Sequence, residues 1–232
     1  DLDSDIIVLQ EVRDYEACDA LAKAISPAYQ VLVCTAFKSG FGGAKGLQQV
    51  AILSKYPAQS CWSEDWKTFG KVDPPRGFAF AHINIDGKNI AVYSVHLKSN
   101  LIMGGDKFKI NQINILKREL ASEQVIAHYQ MLPKILGHSF DAVIVAGDFN
   151  TNKDQLSFAS EKTLQIFEEN EFTSGFEYSA PQQRITHPSK GVYPDATFDY
   201  IFVRGSKEKI LKPSISKYQV SDHLPVTTKS LL

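Results

Sequence analysis

The stretch that most constrains the fold is residues 142–150, with the sequence AVIVAGDFN. It begins with a short run of apolar, partly β-branched residues, which is typical of a buried strand. After Gly147 the run ends in a carboxylate, Asp148, and a carboxamide, Asn150. Side chains two residues apart in an extended segment share one face, so both groups can point into one pocket. Such a pair suits phosphoryl chemistry, although the same residues are also common in an Asx turn.

Ionisable side chains recur at the ends of other predicted strands. Apart from the first stretch, these residues are Glu11, His96, Asp199, Asp222 and His223. Taken alone, a glutamate or histidine at such a position is more often solvated or structural than part of a site. Repeated placement at the carboxyl ends of strands is, however, what an active site on an α/β scaffold looks like. The set therefore predicts a functional site at one edge of the sheets.

The remaining pattern mixes helices with strands and hairpins. The apolar spacing predicts helices over residues 14–25, 106–136 and 157–170. Further strands are predicted at residues 6–9, 29–34, 50–53, 78–85, 90–95, 197–203, 217–220 and 226–229. The dipeptide Asp86-Gly87 indicates a type I′ hairpin between two alternating segments. Because no repeat, linker or change of composition marks a boundary, we expect a single domain over residues 1–232.

Composition excludes several classes of protein. The chain of 232 residues has a net charge of -1, so any binding to nucleic acid must depend on a local patch and a metal. Three cysteines without CxxC spacing do not indicate a zinc cluster or a disulfide framework. No apolar run is long enough to span a membrane. The chain begins at Asp1 without a methionine, so the localisation is unknown, and the oligomeric state is not determined either.

One predicted loop, residues 60–76, carries three aromatic rings and an arginine. Trp62, Trp66 and Phe69 could stack on bases or meet lipid, or they could pack beneath their own loop. Arg76 stands just ahead of a predicted strand and is a candidate phosphate contact.

Six motifs in this order resemble those of the endonuclease/exonuclease/phosphatase superfamily, which has the fold of pancreatic deoxyribonuclease and the exonuclease-III-type nucleases. They cover nearly the whole chain, and the ordered set is far more specific than any one motif. They are LQEV (9–12), VAILSKYP (50–57), VHLKS (95–99), GDFN (147–150), FDYIFV (198–203) and SDHLPV (221–226).

The resemblance implies an α/β fold, a four-layered sandwich of two mainly antiparallel sheets packed face to face and flanked by helices. It also implies a phosphoesterase that depends on Mg²⁺ or Mn²⁺. Glu11 matches the carboxylate that holds the divalent cation, and Asp222 matches a second acidic residue and a possible metal ligand. A hard cation on carboxylate oxygens would offset the negative charge of a phosphodiester.

The resemblance also implies catalytic roles. Asp148 matches the residue that orients or deprotonates the attacking water, and Asn150 matches a ligand of a phosphate oxygen. His223, oriented by Asp199, matches the histidine that contacts the scissile phosphate and handles a proton. His96 matches the second histidine of the deoxyribonuclease-like members.

One departure from the family concerns the strand that precedes LQEV. In the family this first strand carries an asparagine that helps to hold the metal, and residues 1–8 are too few to include it. We therefore expect the N-terminal strand to be missing from residues 1–232. Weak metal affinity, or a strand edge that recruits another chain, would follow.

The leading hypothesis for the substrate is a nucleic acid, cut at its phosphodiester bonds. Lysines that could follow a nucleic-acid backbone are Lys38, Lys45, Lys98, Lys107 and Lys109, and Lys98 is the candidate phosphate contact among them. The alternative is a phosphodiesterase or phosphatase of a lipid or small substrate, similar to sphingomyelinases or inositol phosphatases, and the rings of residues 60–76 motivate it. A third hypothesis is a binding module that lacks turnover.

Overall fold

Two β-sheets pack face to face in the computed structural model, which describes residues 4–38, 46–102, 104–189, 191, 193–205, 212–218 and 220–229. The smaller sheet has the order β1-β3-β2, with antiparallel neighbours. Its strands are β1 (Ile6–Val12), β2 (Gln30–Cys34) and β3 (Gln49–Ser54). Strand β1 lies at an edge of this sheet.

The larger sheet has six strands in the order β4-β5-β6-β7-β9-β8. Its neighbours are antiparallel except for β6 and β7, which run parallel. The strands are β4 (Ala58–Asp65), β5 (Gly77–Ile85), β6 (Lys88–His96), β7 (Ala142–Asp148), β8 (Thr173–Ser174) and β9 (Asp199–Gly205). A short pair, β10 (Ser214–Ile215) and β11 (Val226–Thr227), completes the strands of the described residues.

Helices cover the outer faces of both sheets and make four layers. Helix α1 (Tyr15–Ile25) packs Cys18 and Ala22 against the smaller sheet. Helices α2 (Lys107–Leu136) and α3 (Thr163–Glu169) cover the larger sheet over an aromatic core that includes Phe149 and Phe167. A third apolar cluster fills the space between the two sheets.

The structure therefore confirms the expected fold class. None of the described helices is both long and apolar enough to cross a membrane.

Local chemistry explains several element boundaries. Asp14 and Asp106 cap helices α1 and α2, because each carboxylate accepts a hydrogen bond from a backbone N–H of the first turn. Helix α2 ends at Gly137, which adopts the left-handed conformation at φ 78°. The hairpin at Asp86 and Gly87 is confirmed, since both residues have positive φ and join β5 to β6.

Three predictions of secondary structure were wrong. Residues 58–65 form strand β4 and not a loop, and the helix expected over 157–170 is split into a 3-10 turn, Leu156–Phe158, and α3. The strand expected at residues 217–220 is absent at the described positions, and Gln219 lies outside the described residues. In β4 the side chains alternate between intermediate and exposed positions, so the strand has no continuous apolar run to reveal it.

The aromatic residues of this region pack into the core. Trp66 is 5% exposed, and the Trp62 ring lies 4.4 Å from the Phe80 ring. Only Phe69 remains exposed among the three rings. Of the two interpretations left open for these rings, packing therefore holds for Trp62 and Trp66, since burial of a large ring is favourable.

Gly147 permits the close pairing of β6 and β7. Its φ is +147°, and a Cβ atom at this position would lie 1.9 Å from the carbonyl oxygen of Val95. We expect Gly147→Ala to destabilise the fold by at least about 3 kcal/mol, because backbone atoms cannot move aside. Urea denaturation measures the free energy of unfolding.

The matched control is Gly137→Ala, which has positive φ but open space around the added methyl group. It should cost only about 1 kcal/mol, the conformational penalty alone. Equal losses in the two variants would show that steric contact with Val95 does not determine the requirement for glycine.

Candidate active site

Strand register places three ionisable side chains in one row across the larger sheet. His96 at the end of β6 pairs with Asp148 at the end of β7, and Asp148 pairs in turn with Asp199 of β9. Asp199 is the first residue of its strand, because β9 runs antiparallel to β7. The expectation that it follows a strand was therefore wrong, but the three residues do meet at the same edge.

Asp148 is a buried carboxylate held by its own turn. It is 6% exposed, and its Oδ1 accepts a hydrogen bond from the backbone N–H of Asn150 at 2.8 Å. The Asn150 amide donates to Oδ2 of Asp148 at 2.7 Å and to the carbonyl of Leu97 at 3.3 Å. Asn150 has a positive φ of 52°. The Asx turn formed by Asp148 also brings the Asn150 amide to the Asp148 carboxylate. The two hydrogen bonds from Asn150 fix the orientation of that carboxylate.

Asp199 and His223 form a hydrogen-bonded pair beside Asp148. Nδ1 of His223 lies 2.8 Å from Oδ2 of Asp199. One ligand atom from each of Asp148, Asp199 and His223 lies within 4.8 Å of the others. The backbone N–H groups of Phe198 and Asp199 both donate to the hydroxyl of Thr186, at 3.0 and 3.1 Å, which anchors the start of β9.

These groups perturb one another strongly. Burial raises the pKa of Asp148 to about 8, and the negative charge of Asp199 adds to this effect, while His223 and the Asn150 N–H oppose it. Burial disfavours the charged form of His223, but the hydrogen bond and charge of Asp199, with Asp148 and Asp222, raise its pKa to about 9. His223 is therefore an imidazolium at neutral pH, and Asp148 can lose or gain a proton near neutrality.

His96 is buried in its neutral form. Its Nε2 lies 3.4 Å from Oδ2 of Asp148 and 3.8 Å from Oε1 of Glu11. Burial lowers the pKa of His96 to about 3, and the positive charges of Arg76, His223 and Lys98 contribute. Nδ1 is buried without a hydrogen-bond partner among the described residues. An imidazole that stays neutral between two carboxylates can donate one hydrogen bond without adding positive charge.

Glu11 points into solvent at the end of β1. Its φ is +55°, and its side chain is 58% exposed. The amide of Gln48 donates to Oε1 of Glu11 at 2.7 Å, and Nη1 of Arg76 donates to Oε1 of Gln48 at 3.0 Å. Gln48 thus links the Arg76 guanidinium to the Glu11 carboxylate and sets the position of the Glu11 side chain. We did not identify Gln48 from the sequence, because a glutamine in a glycine-rich segment has no specific pattern.

The two candidate phosphate contacts, Arg76 and Lys98, both lie beside the row, but they differ in how they are bound. Arg76 also has positive φ, at 70°, and its Nη2 donates to the carbonyls of His96 and Leu97, at 3.0 Å each. Its charge acts on both Asp148 and Glu11. Lys98 is half-buried, and its Nζ donates to the carbonyl and hydroxyl of Ser99. Arg76 is therefore part of the site framework, and Lys98 can turn from Ser99 toward an anion.

A buried ion pair between Arg118 and Glu161 supports the backbone at Lys98. Arg118 of α2 makes two hydrogen bonds of 2.6 Å to Glu161, with side chains 0% and 1% exposed. Its third bond, at 2.9 Å, goes to the carbonyl of Lys98. Sequence reasoning missed Arg118 and Glu161, because an arginine among the lysines and glutamines of α2 indicates a solvated face.

Asp222 lies beside His187 and is not in the group formed by Asp148, Asp199 and His223. Its carboxylate is 77% exposed and faces Nε2 of His187 at 3.9 Å, while Ser221 donates to Oδ1 at 3.0 Å. Among the described residues, no group of three ligand atoms within 4.8 Å includes Glu11, and Asp222 groups only with His187 and His223. The structure therefore does not gather Glu11 and Asp222 around one point.

The oxygen atoms of the row fit a hard divalent cation. Asp148 and Asp199 are neighbouring carboxylates, and their repulsion contributes to the raised pKa of Asp148. A cation on Asp148 and Asp199 would offset that negative charge, and carboxylate oxygens are ligands that hard divalent cations prefer. The donor set thus agrees with the expected metal class.

Solved structures with the same fold support the architecture. A mannosyl-6-phosphatase of Bacteroides thetaiotaomicron superposes with a TM-score of 0.66 at 15% identity, covering 99% of this chain and 86% of that one. Sphingomyelinase C of Streptomyces griseocarneus superposes with a TM-score of 0.65 at 18% identity, covering 97% of this chain and 86% of that one. TDP2 of D. rerio in complex with a single-strand DNA product superposes with a TM-score of 0.62 at 17% identity, covering 96% of this chain and 84% of that one. At these identities the similarity establishes the fold alone.

The sequence comparison establishes the family. A search among curated proteins finds no match. The profile of the Endonuclease/Exonuclease/phosphatase family, however, matches residues 1–223, nearly the whole chain. Members of this family are phosphoester hydrolases that generally use divalent metals. With the row of acidic and histidine side chains in place, the chain belongs to the endonuclease/exonuclease/phosphatase family.

Proposed function

We propose that the chain is a divalent-metal-dependent phosphodiester hydrolase whose substrate is a nucleic acid. The observation that carries the proposal is the buried Asp148 beside the Asp199–His223 pair. It combines a carboxylate that can accept a proton near neutral pH with an imidazolium that can meet an anionic substrate. Hydrolysis of a phosphoester by water can use both groups, one to accept the proton of the water and one beside the leaving oxygen.

Asp148 orients the attacking water and accepts its proton. A base with a pKa near the working pH combines the correct protonation state with sufficient basicity. Both hydrogens of the Asn150 amide donate within the site, to Asp148 and Leu97. Its first role is therefore to hold Asp148 in place, and contact with a phosphate oxygen would require the bond to Leu97, which is the longer one, to open.

His223 contacts the scissile phosphate and supplies a proton to the leaving oxygen. Asp199 binds Nδ1, which leaves Nε2 of the imidazolium for the substrate. The carboxylate favours the charged ring and fixes its orientation, as in other Asp–His pairs. His96, neutral and buried, places Nε2 at 3.4 Å from Oδ2 of Asp148.

Glu11 would hold the cation, Mg²⁺ or Mn²⁺, with Gln48 fixing the carboxylate. When bound, the cation supplies positive charge that neutralises the phosphodiester and stabilises the leaving oxygen. Arg76 lies close enough to influence both Asp148 and Glu11, so it contributes positive charge to the same pocket. Asp222 remains a candidate ligand only if its exposed side chain turns toward Glu11.

Two surface features favour a nucleic acid over a lipid or small phosphoester. Lys98 and Arg76 give local positive charge beside the row, although Lys45 of the expected lysines lies outside the described residues. Tyr193 and Tyr218 are 72% and 77% exposed in the segments that carry His187 and His223. Exposed tyrosines can stack on bases. The rings that motivated a lipid substrate, Trp62 and Trp66, pack against the core.

Removal of the proposed base should abolish turnover without unfolding the chain. We expect Asp148→Asn to lower the rate of metal-dependent hydrolysis by about 10²–10⁴-fold, the usual contribution of a general base. Its free energy of unfolding should stay within about 1–2 kcal/mol of the native protein, because the amide keeps the shape but loses one acceptor. Initial rates and urea denaturation measure the two quantities.

The control variant is Asp86→Asn, the same chemical change in the distant hairpin turn, where asparagine also tolerates positive φ. It should keep full activity. Comparable rates in the two variants would contradict the role of Asp148.

The substrate class is tested with supercoiled plasmid and bis(p-nitrophenyl) phosphate, each with Mg²⁺, Mn²⁺ or EDTA. We expect nicking of the plasmid that requires metal and is lost in Asp148→Asn. Cleavage of the small diester with intact plasmid would reject the nucleic-acid substrate and favour a lipid or small phosphoester.

Burial of neutral His96 should make the fold sensitive to acid. The pKa is about 3 in the folded protein against 6.5 for the ordinary side chain, so the unfolded chain binds more protons between these values. Stability from this group is therefore full above pH 6.5 and falls as the pH drops toward 3. At pH 4.5 the loss should reach roughly 2–3 kcal/mol relative to pH 7.

The measurement compares urea denaturation of the native protein and His96→Gln at pH 7 and pH 4.5. Between pH 7 and pH 4.5, the free energy of unfolding of His96→Gln should fall by roughly 2–3 kcal/mol less than that of the native protein. Identical losses in both proteins would show that His96 is not held neutral.

A further inference from the structure

A second cluster of ligand atoms lies beside the group formed by Asp148, Asp199 and His223, and it shares only His223 with that group. One ligand atom from each of His187, Asp222 and His223 lies within 4.8 Å of the other two. Nε2 of His187 is 3.9 Å from Oδ2 of Asp222, and the rings of His187 and His223 are 4.8 Å apart at 62°. The proposed hydrolysis gives His187 no role, so this grouping requires a separate account.

The backbone holds His187 in position. Its N–H donates to the carbonyl of Ala196 at 2.9 Å, and its carbonyl accepts from the Ala196 N–H at 3.0 Å. The ring packs 5.4 Å from that of Phe198. A histidine fixed by a β-bridge and by an aromatic neighbour loses little freedom on binding a ligand.

His223 and Asp222 each present one atom to the cluster. Asp199 binds Nδ1 of His223 at 2.8 Å, so Nε2 is the nitrogen that remains for a metal. A carboxylate on the second ring nitrogen is the usual support of a metal-binding histidine. Ser221 binds Oδ1 of Asp222, which leaves Oδ2 facing His187.

We propose that His187, Asp222 and His223 form a binding site for a borderline transition-metal ion, with Zn²⁺ as the expected occupant. Two imidazole nitrogens and one carboxylate oxygen suit zinc, whereas the oxygen-rich row suits a hard cation. Tetrahedral zinc, with bonds of about 2.0–2.1 Å, places its donor atoms roughly 3.3 Å apart. The 3.9 Å separation of His187 and Asp222 closes by a small turn of the exposed Asp222 side chain.

Occupation of this site would inhibit the enzyme. Zinc on Nε2 of His223 would displace the Nε2 proton to solvent, and so remove the group that contacts the scissile phosphate and protonates the leaving oxygen. This consequence rests on the proposed function, whereas the binding of zinc does not. The cluster would therefore make activity with Mg²⁺ sensitive to zinc.

Binding is tested first, on the full chain, by calorimetric titration with Zn²⁺ and by the visible absorption of Co²⁺ in its place. His187→Gln should weaken zinc binding by at least about tenfold and remove the Co²⁺ absorption typical of nitrogen ligands. The control is His138→Gln, which removes a histidine from the pair formed with His82, whose rings are 4.6 Å apart. Loss of zinc binding in His138→Gln but not in His187→Gln would overturn the proposal.

Thermal melting confirms that each variant is folded. If His187→Gln does not fold, Asp222→Asn decides the question, since the exposed carboxylate can be changed without loss of packing. Unchanged zinc affinity in Asp222→Asn would equally overturn the site.

Inhibition is tested separately, with phosphodiester hydrolysis at saturating Mg²⁺. The zinc concentration that halves the rate should rise in His187→Gln by the same factor as the dissociation constant. Zinc binding without inhibition would reject the regulatory effect but keep the site. A chain that binds zinc as expected but hydrolyses no phosphoester would reject the proposed function and leave the metal site intact.

Discussion

The candidate site depends on one electrostatic constraint, the buried carboxylate of Asp148 beside the partly buried carboxylate of Asp199. Strand register brings them together, and burial raises the pKa of Asp148, with the negative charge of Asp199 adding to this effect. His223 compensates for part of this charge through its bond to Asp199, and the Asn150 N–H binds Asp148 directly. A buried charge that loses its partner is strongly destabilising, so each of these contacts constrains the others. The resulting arrangement is poised to accept both a proton and a cation.

Backbone strain accompanies this arrangement. Glu11, Arg76 and Asn150 have positive φ although none is glycine, and all three lie around the row. Such conformations persist only where the surrounding structure holds them. Here the support comes from the chain of hydrogen bonds from Arg76 through Gln48 to Glu11, and from the buried Arg118–Glu161 pair under Lys98. The fold therefore holds strained backbone next to the side chains of the candidate site.

Much of the fold could be predicted because its signals are local. The strand before Asp148, the hairpin at Asp86 and the limits of α2 depend on short patterns and caps, and the structure confirms them. Strand β4 was missed, because its alternation lacks an apolar run and its burial depends on packing against β5. The burial of Trp62 and Trp66 was equally invisible, since a ring's partners come from elements distant in the chain.

The sequence by itself was sufficient to place the chain in its family and to name the ionisable side chains of the candidate site, but not Gln48 beside Glu11. Only the tertiary structure decided how those groups act on one another. It paired His96 with Asp148 and Asp148 with Asp199, kept His96 neutral, and placed Asp222 beside His187 and away from Glu11. The physical reason is that charge interactions and burial depend on distances of a few ångströms between residues far apart in the chain. Strand register and layer packing set those distances, and no local pattern encodes them.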